Sequence, residues 1–174
     1  MWKKLGSKTV YKNNWIEVIE DKVIQPDGKP GIFGYTKVLP GVAVLPIDKH
    51  GNVYLLEEYH YPTKTKLIKP VSGGRNKKES AITAAKRELK EELGITAKQW
   101  KHLGSTNAYT SSVDAHADLF LARDLAFSKS KPEGNESLEP IKLKFNKAIN
   151  MVLKGKITNG NTCIILLKAQ SFLK

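Results

Sequence analysis

The order of elements in this chain predicts an α/β fold, an α/β/α sandwich whose mixed central sheet carries helices on both sides, preceded by a small β subdomain. Three observations lead there. The first sixty residues fall into short β-type runs broken by turn signals. Residues 73–95, GGRNKKESAITAAKRELKEELGI, carry a helical repeat after a glycine-rich opening. Further strands follow, and two helical stretches end the sequence. A length of 174 residues suits one domain with a real core, divided as residues 1–40, the β subdomain, and residues 41–174, the main domain.

Taken in order, residues 8–25 alternate enough for one or two strands, and Pro26-Asp27-Gly28-Lys29 is a turn signal. Residues 33–39 and 41–47 read as strands. Asp48-Lys49-His50-Gly51 reads as a hairpin turn into the strand 53–59. After the helix, 99–109 and 116–123 are strand-like, 128–137 is a polar loop, and a strand near 138–145 leads to helices near 146–154 and 160–173.

The helix has clear ends. Ser80 or Glu79 can start it by accepting from free N–H groups of the first turn, and Gly94 is placed to stop it in the left-handed conformation. Ile82, Ala85, Leu89 and Leu93 recur at three- and four-residue steps as one apolar stripe. Glu88, Glu91 and Glu92 lie together on the flank of that stripe. Three carboxylates so close repel one another unless a cation neutralises them. Arg87, four residues before Glu91, is placed to hold it by a bidentate contact. Ligands made only of oxygen favour Mg²⁺, with Mn²⁺ as a substitute.

Composition narrows the function classes. Hydrophobic content is 40% and the formal net charge is +12. The lysines are scattered and not interleaved with aromatics, so they read as a solvated surface, and nucleic acid is not an expected partner. Arginine occurs only at 75, 87 and 123; Arg75, beside the glycines, has the fork that suits phosphate oxygens. No run is long enough to span a membrane and no apolar leader opens the sequence, so the expected setting is the cytoplasm. The lone Cys163 excludes an internal disulfide and lies in an apolar segment.

The stretch 73–95 resembles the Nudix box: Gly, five residues, Glu, seven residues, then Arg-Glu-aliphatic-any-Glu-Glu-any-Gly-aliphatic. Gly73, Glu79, Arg87, Glu88, Leu89, Glu91, Glu92, Gly94 and Ile95 match every fixed position. The resemblance implies hydrolysis of a nucleoside diphosphate linked to another moiety. It implies Glu88, Glu91 and Glu92 as metal ligands, joined by a backbone carbonyl near Ser72 or Gly73. Glu79 and Arg87 support the loop and the acids, and Glu91 and Arg87 count with the catalytic set. Beyond the box, Asn14-Trp15-Ile16, residues 41–47, residues 53–62 and residues 154–162 resemble the ADP-ribose pyrophosphatase branch, in which the N-terminal part often pairs two subunits. A homodimer is therefore expected.

Some residues depart from that branch. His60 stands where an arginine is usual, Leu67-Ile68-Lys69-Pro70-Val71-Ser72-Gly73 replaces a segment that commonly carries Glu-Leu-Pro-Ala-Gly, and Tyr109-Thr110-Ser111-Ser112 occupies the place of a proline region. Arg75, His60 and Ser112 are the candidate substrate contacts. In the resembling branch the general base comes from a mobile acidic loop. Here that loop carries Glu133, Glu136 and Glu139, with Glu136 the first candidate and Glu139 the second. ADP-ribose or a nucleotide sugar is the expected substrate. The alternatives are a GDP-mannose-type nucleotide-sugar pyrophosphatase and a non-catalytic nucleotide- or RNA-binding module.

Overall fold

The computed structural model describes residues 1–107, 110–130 and 138–173. In chain order the elements are β1 (Lys3–Lys12), β2 (Ile16–Ile24), β3 (Pro30–Val38), β4 (Gly41–Pro46), β5 (Asn52–His60), β6 (Thr65–Lys69), β7 (Val71–Gly74) and helix α1 (Ala81–Leu93). They continue with β8 (Ile95–Asn107), β9 (Val113–Asp114), β10 (His116–Phe127), β11 (Leu138–Lys144), α2 (Phe145–Leu153) and α3 (Gly160–Ala169), which ends in a 3₁₀ turn at Gln170–Phe172. The backbone divides into two units, Met1–Pro40 with Asn107–His116, and Gly41–Thr106 with Ala117–Lys174.

In the first unit β1, β2 and β3 form an antiparallel meander, and the short β9 adds to β3 in parallel. Local chemistry sets the turns. Asn13 Oδ1 accepts from the N–H groups of Trp15 and Ile16, both at 2.8 Å, and Asp27 Oδ1 accepts from Lys29 N–H at 3.1 Å. Little of this sheet is buried: Ile19, Val23 and Asp21 are, whereas Trp2, Leu5, Val10, Trp15 and Ile32 are exposed.

The second unit has two sheets. One is mixed, in the order β7-β4-β10-β8, with β4 parallel to β10 and antiparallel to β7. The other, β11-β5-β6, is antiparallel. Both faces of the mixed sheet are covered, so its central strands are apolar runs without alternation. Val42 and Val44 of β4, with Phe120 and Ala122 of β10, pack on Ala84, Ala85 and Leu89 of α1. Ala43, Leu45, Leu119 and Leu121 point the other way, onto Phe145, Ala148 and Ile149 of α2 and Ile165, Leu166 and Ala169 of α3. Helices thus lie on both sides of the sheet. Among the described residues no helix is long and apolar enough to cross a membrane.

Two strands lie where the sequence reading placed none. Thr65–Lys69 is lysine-rich and Val71–Gly74 is half glycine, so neither has a strand-like alternation. Pairing supplies what propensity lacks: β6 joins β5, and β7 joins β4 with Ser72 opposite Ala43 and Gly73 opposite Val42. That pairing brings the glycine end of β7 alongside α1.

Candidate functional site

The site is built from the ends of α1. Of the two possible caps, Ser80 takes the role, its Oγ accepting from Thr83 N–H at 3.2 Å. Gly94 closes the helix at φ 65°, with its N–H donating to Lys90 O. A side chain at Gly94 would also collide with the backbone of Ser128–Ser130, so both conformation and close approach demand glycine there. The buried face of α1 is Ala84, Ala85, Leu89 and Glu92; Ile82 and Leu93 of the expected stripe are only half-buried.

Arg87 ties the helix to the loop before it. Its Nε and Nη2 donate to the two oxygens of Glu79, at 3.0 and 3.1 Å, and Nη2 also donates to Gly74 O at 3.0 Å. Its Nη1 donates to Glu88 Oε1 at 2.7 Å and Glu91 Oε2 at 3.1 Å. The expected bidentate pair with Glu91 is thus corrected: the two-pronged contact goes to Glu79, because the loop presents that carboxylate to the Nε edge, and Glu91 receives one N–H. Glu79 Oε2 also accepts from Asn76 N–H at 2.9 Å.

The Arg87 hydrogen bonds, and then the Asn76 N–H, hold the Glu79 carboxyl below its ordinary value of 4.5, while the same partnership pushes the Arg87 guanidinium up. The sign follows from linkage. A carboxyl whose folded pKa is depressed contributes stability above its unfolded pKa and loses it as pH falls through the folded value. Glu79→Gln is therefore expected to lower Tm at neutral pH, with the difference from the parent shrinking as pH falls below about 4. Thermal melts of both proteins across that range check it; a constant difference would show that the charge on Glu79 is not what matters.

Glu88 and Glu92 sit against β7. The Glu88 carboxylate occupies the space that a Cβ on Gly73 would need. The Glu92 side chain is only 3% exposed; its Oε2 accepts from Ser72 N–H at 3.2 Å and its Oε1 lies 3.7 Å from Lys69 Nζ. Lys69 in turn lies 2.6 Å from Glu58 Oε2. Among the described residues no three acidic, histidine or cysteine side chains form a ready-made metal cage. The donor chemistry nevertheless fits a hard divalent cation. Glu88, Glu91 and Glu92 stand at i, i+3 and i+4 on α1, all oxygen donors, and the Glu88 carboxylate lies in the space that Gly73 leaves open.

The remaining candidates are more scattered. Arg75 Nη1 donates to Asp118 Oδ2 at 3.3 Å, and Asp118 Oδ1 is 3.0 Å from His102 Nε2, while Arg75 Nε is buried with no hydrogen-bond partner among the described residues. His60, exposed at the end of β5, has its Nδ1 3.1 Å from Thr63 Oγ1. Ser112 belongs to the first unit, where its carbonyl accepts from Thr36 N–H at 2.9 Å. The expected loop position of Glu139 is corrected: it lies in β11, held in the ladder opposite Glu57 of β5, and is paired with Lys66 Nζ at 2.8 Å, while Lys66 also reaches Glu57 at 3.2 Å. Glu133, Glu136 and Tyr109 lie outside the described residues.

In the sequence Lys69 is one of the lysines that flank the box and could meet substrate phosphates, but its partner Glu58 went unnoticed there. The signal lies in strand register: Leu56 pairs with Lys69, so Glu58 is the diagonal neighbour of Lys69 on one face of the β5–β6 pair. That register requires recognising β6 as a strand.

The chain is similar to known proteins along most of its length. Residues 2–36 match the nucleoside diphosphate sugar hydrolase N-terminal domain, and residues 37–141 match the NUDIX domain. A Bacillus subtilis (strain 168) protein named ADP-ribose pyrophosphatase is 26% identical over 164 residues, covering 92% of this chain and 88% of that protein. A Mycobacterium tuberculosis (strain ATCC 25618 / H37Rv) protein of the same name is 23% identical over 160 residues, covering 90% and 77%. A solved structure described as an ADP compounds hydrolase superposes with a TM-score of 0.88 at 20% identity, covering 99% of this chain and 94% of the other; at that identity the likeness concerns the fold.

Proposed function

Because the chain belongs to the Nudix family and is a Nudix pyrophosphohydrolase, we propose that it acts, with Mg²⁺, on a nucleoside diphosphate linked to a second moiety, ADP-ribose first. The observation that carries this reading is the Arg87 clamp, which gathers Glu79, Glu88 and Glu91 beside the glycine end of β7. The names of the two bacterial relatives support ADP-ribose. The match of residues 2–36 favours a second reading, a nucleotide sugar such as GDP-mannose.

In the reaction a water oxygen bonds to one phosphorus, the bridging P–O bond breaks, and a nucleoside monophosphate and a second phosphate product leave. Glu88, Glu91 and Glu92, with a carbonyl at Ser72 or Gly73, are the residues assigned to hold the divalent ion; bound there, it lowers the pKa of water and offsets charge on phosphoryl oxygens. Arg87 keeps Glu88 and Glu91 in place. Arg75, whose Nη1 pairs with Asp118, is the cation assigned to a substrate phosphate. His60 and Ser112 remain candidate substrate contacts. The water's proton is assigned to Glu136 or Glu139, and Glu139 must first leave Lys66.

A second copy of the chain is the proposed partner, through the N-terminal sheet. Trp2, Leu5, Val10 and Ile32 leave large apolar area open there, and Trp2 stacks edge-on against Phe33 at 5.3 Å.

The test is a panel of ADP-ribose and nucleotide sugars with Mg²⁺ or Mn²⁺ in ¹⁸O-labelled water, products identified by mass. The expected result is metal-dependent release of AMP and ribose phosphate from ADP-ribose, with label in one product. Preferential release of GMP from GDP-mannose selects the second reading. No metal-dependent monophosphate from any substrate, with salt-sensitive RNA binding instead, overturns both.

A further inference from the structure

Lys69 is held by the acid cluster but has no task in the reaction described above. Its side chain, at the end of β6, is 16% exposed, with Nζ 2.6 Å from Glu58 Oε2 and 3.7 Å from Glu92 Oε1. The acids are thus shared between two fixed cations. Arg87 serves Glu79, Glu88 and Glu91, and Lys69 serves Glu58 and Glu92. Glu92 is almost wholly withdrawn from water, so its charge must be met by nearby donors; Ser72 N–H and the Lys69 ammonium are two that the fold provides.

An ammonium in that position bears on more than stability. A divalent ion drawing on Glu92 must approach a positive charge that is itself poorly solvated, where screening is weak. The contacts of Lys69 with Glu58 and Glu92 are unequal. The short one is to Glu58 and the long one to Glu92, so Glu92 is the carboxylate that Lys69 gives up first, while Glu58 stays occupied.

Resting on the metal-dependent reading above, we infer that Lys69 is a resident cation of the site, a positioning residue that holds Glu92 and withholds Glu58 from metal, and so sets the affinity and number of divalent ions the site accepts. The cluster then has in Lys69 a monovalent charge where an additional divalent ion would otherwise sit.

The full chain, free of substrate, is titrated with Mn²⁺, and bound ions are counted from the loss of the free-ion paramagnetic resonance signal. Lys69→Met removes the charge; Lys69→Gln, which retains a polar tip, is the second variant should the first fold poorly; Lys69→Arg keeps the charge. The neutral variants are expected to bind Mn²⁺ about tenfold more tightly or to take an additional ion, and Lys69→Arg to behave as the parent. Their melting temperature is expected to be lower without metal and to rise further on adding Mn²⁺ than the parent's does. Unchanged or weaker Mn²⁺ binding in the neutral variants overturns the inference, including the case in which only the metal-free melting temperature falls, because that is a structural role alone. Glu88→Gln separates the two levels: if parent Mn²⁺ binding is untouched by that change, the metal reading itself fails and this inference falls with it.

Discussion

Glu88→Gln is expected to lower kcat on the preferred diphosphate by about a thousandfold, equivalent to roughly 4 kcal/mol in the barrier. The substitution keeps the shape of the side chain and an oxygen that can still accept from Arg87 Nη1. What it removes is the negative charge that a hard cation requires of a ligand. Folding should survive, since Arg87 retains both oxygens of Glu79, the Gly74 carbonyl and Glu91. Circular dichroism and a melting curve matching the parent, measured beside the loss of turnover, separate lost chemistry from lost structure. Turnover near the parental rate with Mg²⁺ would remove Glu88 from the metal set.

The neighbouring acids place that result on a scale. Glu91 is 40% exposed, whereas Glu88 is 13% exposed and lies against Gly73, so neutralising Glu91 should cost less than neutralising Glu88. Glu92 is buried against Ser72 and Lys69, so Glu92→Gln disturbs packing and charge together. Its lost activity would mix two causes, which makes Glu88 the cleaner probe of the site.

How much of this was legible in the sequence depended on the range of the interactions involved. Helix α1 could be read almost to the residue, because a cap, a left-handed glycine and the apolar steps are all local and all agree. The flank shared by Glu88, Glu91 and Glu92 follows from the same helical geometry. Strands β4 and β10 were visible as apolar runs, though only pairing reveals that they are parallel neighbours covered on both faces. Strands β6 and β7 were not legible, since lysines and glycines give no pattern until β5 and β4 supply partners. Lys69 and Glu58 were hidden for the same reason. They meet across strands, and the sequence offers Lys69 only as a box-flanking lysine for substrate phosphates, not as the partner of an acid. The partner of Arg87 was open to similar error. A helix wheel pairs Arg87 with Glu91, but the loop folds back and presents a better-aligned carboxylate to the guanidinium.

Gly73→Ala is expected to cost on the order of a hundredfold in kcat while leaving the fold nearly intact. Among the positions discussed, Gly73 differs from Gly94 in its reason for being glycine. It is not one of the glycines with positive φ, so its backbone conformation is open to alanine. The constraint is space: an added Cβ would coincide with the Glu88 carboxylate. The colliding atoms are the far end of a flexible side chain, so the collision is relieved by Glu88 swinging aside while the β7–β4 pairing holds. That movement costs stability about 1 kcal/mol, the order of an off-rotamer side chain. For activity it is severe, because a catalytic group moved by about 1 Å loses most of its effect. A melt close to the parent's, combined with weakened Mn²⁺ binding and a collapsed kcat, is the expected pair of results. If Gly73→Ala kept full turnover, Glu88 could do its work from another rotamer, and its position against the turn would not be the one that matters for catalysis.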